Sequence, residues 1–548
     1  MSKKNFGRIL LLLALSYVFF MLGNGIVSLT GPDEVFYVQT AKEMARHHTW
    51  LTPYLFDAPQ FEKPVFLYWL LRSAFVFFGI SSFSARFFPA FFAMIGVIAV
   101  YFLSLLGFKN EKKAFFISLV LMSGALYVGL ARMVFTDMVF SVFISLSLLS
   151  FFWGYSAGEN KGLGILLFFV FSALAVLTKG PLGILLPFPT VISFLALRKE
   201  FKYLFCRHSL WGIFIFIAVA APWYLFMIDK YGSGFIREFF YNDHFRRLIE
   251  AEHSGNDKWY FYPLATVGCM FPWSLYTAAS LVYLFIKLKK DTLTIHLFSA
   301  CWIGIVFVIF QSTHSKLVSY IFPFFPALAV VTGDFIYEKI ALKSYRRIFY
   351  AISLVTVVVL MLLPLLLFAF LLNHQSYLSS RMPVYAFCLL FSLFIFTILF
   401  FILRRTLLKA IYLFTFLIPA LLLLVPFIHK EIEPYISSRD ACEYLLRNYK
   451  VENAILCSKP FARGARYYTD KEVAIVNTYG KNFFSPHPIL FLDDDAKVRD
   501  FLKKQSVTYC ILRRSGIEDV KRAVADRGDF TLLKIIGNGY IVKIAYRP

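Results

Sequence analysis

Charge is scarce in this chain: only 16% of the residues are Asp, Glu, Lys or Arg, and the acids number 33 against 56 bases. An average soluble domain carries roughly 25% charged residues, so a chain that is 59% hydrophobic could not hide its apolar surface in water. Cysteine is sparse as well. The seven cysteines form no CxxC pair and show no metal-type spacing with histidine, so the sequence offers no zinc module. Cys206, Cys269, Cys301 and Cys388 fall in or beside apolar runs; of the other three, Cys457 and Cys510 read as either a disulfide or two buried thiols. There is also no long internal repeat. The net charge of +23 would suit a nucleic-acid binder, but the bases lie in short clusters between apolar runs, as in the cytoplasmic loops of membrane proteins. Nucleic acid is therefore not an expected partner.

What the chain has in abundance is apolar length. Ile9–Val27, Phe87–Leu106 and Tyr350–Leu372 each reach the roughly 20 residues needed to cross the hydrocarbon core. The first run follows Lys3, Lys4 and Arg8 like a signal peptide, but it is longer than a signal core and has no clear cleavage site, so it reads as an uncleaved helix. About thirteen spans are expected, starting near residues 8, 84, 113, 133, 162, 181, 210, 262, 294, 317, 347, 383 and 407. With a cytoplasmic N-terminus, the basic clusters Lys109–Lys113, Arg198–Arg207, Lys287–Lys290, Arg346–Arg347 and Arg404–Lys409 each land on an inner connection. This satisfies the positive-inside rule and places the remaining connections outside.

Those outer connections hold the unusual residues. Glu34–Arg46 and Val65–Phe78, within the 31–82 loop, have the mixed pattern of helices lying in the interface, and Trp50, Tyr54, Tyr68 and Trp69 suit that depth. After about Ile428 the composition turns polar. Short β-like runs at 453–457, 473–476, 508–512 and 539–545 alternate with helices at 439–448 and 495–504. The expected fold is thus a polytopic α-helical membrane protein: a membrane domain over 1–430 that includes the 31–82 loop, and an outward-facing α/β domain over 431–548.

Several polar residues could carry chemistry, and each has a plainer alternative. Asp33-Glu34 follows the first span and could simply be an acidic pair favoured by a helix dipole. Glu62-Lys63 could be an exposed salt bridge worth about 0–1 kcal/mol. Arg132 and Asp137 bracket a tight turn and Lys179 stands at the same level; lone cations at a span boundary usually snorkel. Asn242–Arg247, His253, Trp259, Tyr260 and Ser315-Lys316-Leu317 with Tyr320 mix aromatics and cations, which suits a phosphate headgroup and a sugar but also an ordinary aromatic belt.

The motifs Asp33-Glu34, Tyr37, Glu43-Met44, Trp50, Pro53, Phe61-Glu62-Lys63-Pro64, Tyr68-Trp69 and Arg86 resemble the first outer loop of aminoarabinose transferases acting on lipid A, members of the class that includes protein O-mannosyltransferases (GT-C). Thr178-Lys179-Gly180, Pro222-Trp223-Tyr224, His244 with Arg247, Trp259-Tyr260, Phe271-Pro272-Trp273 and Ser315-Lys316-Leu317 follow in the same order. The resemblance implies inverting transfer of a sugar from a polyprenyl (undecaprenyl) phosphate to an outward-facing acceptor, at the periplasmic face of a bacterial inner membrane. It implies that Lys63, Arg247 and Tyr320, with Lys179 and Arg132, hold the donor phosphate. Asp33, Glu62 and Asp137 would line the reaction side, and Glu34, Tyr37, His244, His253, Tyr260 and Lys316 the substrates. Leu248, Val318 and Val65 depart from residues frequent in that family, which leaves the sugar and the acceptor open: lipid A phosphate, another lipid, a glycan or a protein.

No obligatory cofactor is expected, because lysine and arginine can neutralise a monophosphate leaving group, although Asp33, Glu62 and Asp137 could bind a divalent ion if brought together. Three rivals remain. A transporter should carry its charges at mid-span, whereas here they gather at span ends. An O-antigen ligase fits the early Asp-Glu loop and the tail less well. A non-enzymatic scaffold would lose its function on deletion of 433–548, whereas an enzyme is expected to keep some chemistry in its membrane part.

Overall fold

The computed structural model describes residues 3–250, 256–290, 294–341, 346–373, 382–478, 489–524 and 528–546. Helices begin within five residues of each of the thirteen expected starts. Among the described residues nine are long and apolar enough to cross a membrane, or up to eleven if the bent pairs Glu111–Met122 with Ala125–Ala131 and Phe261–Cys269 with Ser274–Lys289 each count as one span. The other two expected spans are shorter: Leu182–Arg198 is an apolar helix below spanning length, and the segment from Leu407 breaks into Leu407–Phe414 and Leu417–Leu422.

The chain divides into two compact units, one of residues 1–24 and 86–425 and one of residues 25–85 and 426–548. The 31–82 loop, expected with the membrane domain, thus groups with the C-terminal residues.

In the first unit, Thr136–Ala157 and Lys161–Lys179 form a helical hairpin around a turn where Gly158 takes φ +60. Small residues let the two backbones touch: a Cβ on Gly154 would lie 3.1 Å from the Gly164 Cα, and the Ser147 and Ser172 hydroxyls hydrogen-bond at 2.9 Å across the interface. Hairpin geometry sets the start of the first helix level with the end of the second. Tyr224, from the long helix Arg207–Phe235, braces the pair by donating to the Val176 carbonyl at 3.0 Å. Aromatic packing fills the interior, with the Phe151 and Phe298 rings stacked at 6.0 Å.

Three other helices of this unit, Glu111–Met122, Thr294–Gln311 and Phe325–Ala341, share a polar cluster that gave no sequence signal. Lys113 reaches Asp334 at 2.6 Å and Glu338 at 3.3 Å, and His296 meets Asp334 at 2.9 Å. Lys113 thus has two carboxylates as partners, which offsets part of the desolvation cost of the buried charges.

The second unit is a six-stranded sheet with helices and the looped-in segment 25–85. Strands β1 (Tyr54–Leu55) and β2 (Ala58–Pro59) make a small hairpin in that segment; the sheet comprises β3 (Ile455–Ser458), β4 (Val473–Val476), β5 (Leu490–Leu492), β6 (Val507–Leu512), β7 (Gly528–Ile536) and β8 (Gly539–Tyr546). Their order is β5-β4-β3-β6-β8-β7, parallel from β5 through β6 and antiparallel at β8 and β7. Register pairs Cys510 with Leu456 and Cys457 with Ile511, so the two thiols face opposite sides of the sheet and pack into separate cores. Both are free, buried cysteines, which resolves that alternative.

Helix Asp33–Arg46, expected to lie in the interface, is mostly buried. It packs beside Phe66–Phe78 and against helix Lys459–Thr469, whose Arg466 pairs with Asp57 and lies 3.6 Å from Glu43. Lys42 and Arg46 both reach Asp470 at the end of that helix, at 2.8 and 3.0 Å. Phe66–Phe78 buries Leu67, Tyr68, Leu71 and Ala74 and leaves Val76, Phe77 and Phe78 exposed at its end.

Candidate active site

The membrane unit brings three of the sequence-selected residues together. Asp137 stands in the first turn of Thr136–Ala157, where a helix N-terminus favours an acid. Lys179 is the last residue of its helix, ahead of Gly180 at φ +78. Lys179 donates to Asp137 at 2.6 Å, and both side chains are largely buried, 11% and 7% exposed. The same Lys179 Nζ lies 5.0 Å from the ring centre of Tyr320, a cation–π contact that gains strength when desolvated. A buried ammonium, a carboxylate and a tyrosine thus share one end of the hairpin.

Two further cations in this unit are held differently. Arg132 donates to the Phe19 carbonyl at 3.2 Å and the Leu22 carbonyl at 3.0 Å, anchoring the end of the first span. Burial and the nearby Arg86 charge bring its guanidinium down to about 10. Lys316 is buried and donates to Asp257 at 3.2 Å, while Asn256 donates to the Lys316 carbonyl at 3.1 Å. His314 lies 2.8 Å from the other Asp257 oxygen. Hydrogen bonding from His314, with Lys316 adding to it, holds the Asp257 carboxyl below its ordinary value.

Tyr260 is exposed beside the exposed Trp259, whose carbonyl accepts from Gln311 at 3.0 Å. His244 lies in the π-helical segment Ile236–Phe245 and Arg247 in the short helix that follows; π-helical turns often mark functional positions. The side chains of His244 and Arg247, and all of His253, lie outside the described residues.

In the second unit, Asp33 opens helix Asp33–Arg46 with its side chain 61% exposed. Its neighbour does the structural work first suggested for the pair: Glu34 is buried and accepts from the Thr30 amide and hydroxyl at 2.9 and 2.8 Å. Glu62 and Lys63 are half-buried in the loop before Phe66–Phe78. Gln60 shapes that loop by accepting from the Glu62 amide at 2.9 Å while donating to the Tyr68 hydroxyl at 2.7 Å. Lys63 donates to the Glu62 carbonyl at 3.0 Å. The Tyr37 ring lies 6.3 Å from that of Tyr68, linking helix and loop.

The sequence pattern of the dolichyl-phosphate-mannose-protein mannosyltransferase family matches residues 7–231. An uncharacterised protein of Aquifex aeolicus is 31% identical over 339 residues, covering 60% of this chain and 73% of that protein. The undecaprenyl phosphate-alpha-4-amino-4-deoxy-L-arabinose arabinosyl transferase of Wigglesworthia glossinidia brevipalpis is 27% identical over 373 residues, covering 67% and 64%. The crystal structure of ArnT from Cupriavidus metallidurans bound to undecaprenyl phosphate superposes with a TM-score of 0.79 at 19% identity over 98% of each chain. The chain belongs to the aminoarabinose transferase-like membrane glycosyltransferases. The likeness in fold to that structure covers the tail as well as the helical part of the transferase.

Two polar residues of the transferase escaped the sequence reading. Asp257 sits in Asn256-Asp257-Lys258, a polar patch inside an aromatic loop, and that contrast was the signal available. Arg463 lies 3.7 Å from Asp33, and nothing local in its sequence points there.

Proposed function

We propose that this transferase moves 4-amino-4-deoxy-L-arabinose from undecaprenyl phosphate to a phosphate of lipid A, at the periplasmic face of a bacterial inner membrane. The observation that carries the reading is the Lys179–Asp137–Tyr320 constellation, a buried cation with a matched acid on the fold of this family. An acceptor phosphate oxygen attacks the anomeric carbon from the side opposite the leaving group. The C1–O bond to the carrier phosphate breaks with its electron pair going to the phosphate oxygen, and the configuration inverts. The leaving phosphate gains a negative charge, so fixed cations stabilise the transition state more than the bound donor.

Lys63, Arg247 and Lys179 are the cations assigned to that phosphate, with Tyr320 flanking Lys179. Arg132 retains N–H groups beyond those bonded to Phe19 and Leu22 and can add a second-rank contribution. An acceptor phosphate is already ionised and needs little base catalysis, so Asp33, Glu62 and Asp137 act by placing it and the aminosugar. Tyr37, Tyr260, His244, His253 and Lys316 line the substrates, while Glu34 shapes the turn that presents Asp33. We assign no obligatory metal: lysine and arginine match the charge of a monophosphate, and a chelator is expected to leave the rate unchanged.

The test is transfer of radiolabelled sugar from synthetic polyprenyl-phosphate donors to lipid A in detergent, comparing wild type with Lys63→Ala and Asp33→Ala. Transfer that collapses in both variants supports the site. Labelling of a peptide or glycan in place of lipid A would keep the class and move the acceptor towards the mannosyltransferase branch matched by residues 7–231. If no donor is consumed, the enzymatic reading falls.

A further inference from the structure

Asp33 reaches its position through the C-terminal residues. The five residues before it are tied to them by main-chain hydrogen bonds: the Ser28 amide donates to the Glu433 carboxylate, the Gly31 amide to the Ile436 carbonyl at 2.9 Å, and the Tyr468 hydroxyl to the Leu29 carbonyl at 3.4 Å. Helix Lys459–Thr469 then aligns with Asp33–Arg46. Arg463, Arg466 and Asp470, spaced three and four apart and so on one face, meet Asp33, Glu43 and the Lys42–Arg46 pair in turn.

Arg463 is the member of this row that meets Asp33. Its side chain is 11% exposed and its Nη1 lies 3.7 Å from the Asp33 carboxylate. The same Nη1 is 3.5 Å from the Pro32 carbonyl, and the guanidinium carbon sits 4.8 Å from the centre of the Phe36 ring. Stacking on Phe36 and contact with Pro32 fix the planar guanidinium before any substrate arrives. An exposed aspartate on the first turn of a helix has several rotamers open to it, and a fixed guanidinium beside it favours the one facing the charge.

We infer that Arg463 is a positioning residue for Asp33, so that the C-terminal domain completes the reaction centre instead of serving as a separate binding module. The inference rests on the reading that Asp33 takes part in transfer. Loss of an orienting contact to a reacting group can cost on the order of 100-fold in rate.

The test is a double-mutant cycle on the full-length transferase in detergent, with undecaprenyl-phosphate aminoarabinose as donor and lipid A as acceptor. R463Q is expected to lower kcat ten- to 100-fold with donor KM within about twofold of wild type, R463K to recover part of the loss, and R463Q on a D33N background to cost less than twofold. Equal fold-losses in both backgrounds, or wild-type kcat in R463Q, overturn the inference. Wild-type rates in D33N defeat the role of Asp33 itself, a failure visible without Arg463 being touched, and the inference falls with it. Should R463Q not fold, the cycle is run with R463K, whose ammonium lacks the planar fork: a loss of kcat confined to the wild-type background supports the inference, and equal losses overturn it.

Discussion

Lys179 and Asp137 stabilise each other apart from the role proposed for them in transfer, and the two separate by substitution. Removing one partner of a buried pair leaves an uncompensated charge, at a cost of about 3–5 kcal/mol. Lys179→Ala is therefore expected to lower the melting temperature and abolish transfer. The double variant Lys179→Met/Asp137→Asn should regain most of the stability and none of the activity, which thermal denaturation in detergent and the transfer assay would show together. A single variant as stable as wild type would mean the pair contributes nothing to folding. The residue scale is also where sequence reading was weakest. Asp33 and Glu34 looked equivalent as neighbours, yet one is exposed and the other is bonded to Thr30. Helical geometry turns adjacent side chains about 100° apart, so adjacency says little about shared surroundings.

At the scale of elements, Asp257 ties the loop before Phe261 to the loop before Val318 through Lys316 and His314. A depressed carboxyl stabilises the fold above its unfolded value of about 3.9, and that contribution is lost as pH falls through the lower folded value. The tie is thus intact across the neutral range. Asp257→Asn at neutral pH is expected to raise donor KM severalfold with little change in melting temperature; an unchanged KM would detach the tie from donor binding. The helix starts were legible because apolar length is a local signal, and helices begin near all thirteen expected starts, although two of those segments fall short of a span. The tail was legible in part. Strands β3, β4, β6 and β8 and helices Arg439–Asn448 and Asp495–Lys503 match expectation, whereas β7 is an edge strand whose mixed exposure lacks clean alternation. Helix Lys459–Thr469 was hidden by its bases, although Phe461, Ala462, Ala465 and Tyr468 carry a three-four spacing. Burial of Asp33–Arg46 was only partly local: Phe66–Phe78 follows closely, whereas Arg466 and Asp470 lie more than 400 residues along the chain.

For the whole molecule, the basic clusters predict a cytoplasmic N-terminus and an external C-terminal domain. Lys450, with its side chain 88% exposed, offers a reporter: Lys450→Cys should react with a membrane-impermeant maleimide in intact spheroplasts, and protection until lysis would invert the orientation. Deleting residues 433–548 was expected to leave some chemistry behind. The ties from Glu433, Ile436 and Tyr468 to residues 28–31 now predict complete loss of transfer, with the remaining membrane part still extractable as a monodisperse species. The discontinuity of this unit also has a biosynthetic consequence. About 340 residues separate its two segments, a delay of roughly 20–70 s at about 5–20 residues per second of translation. The first segment emerges early and waits, its Glu43 without Arg466 and its turn at Gly31 unsupported, until residues 433–468 have been translated. A nascent chain truncated before Glu433 therefore cannot assemble the Asp33 turn, because every one of these ties is made by residues 433–468.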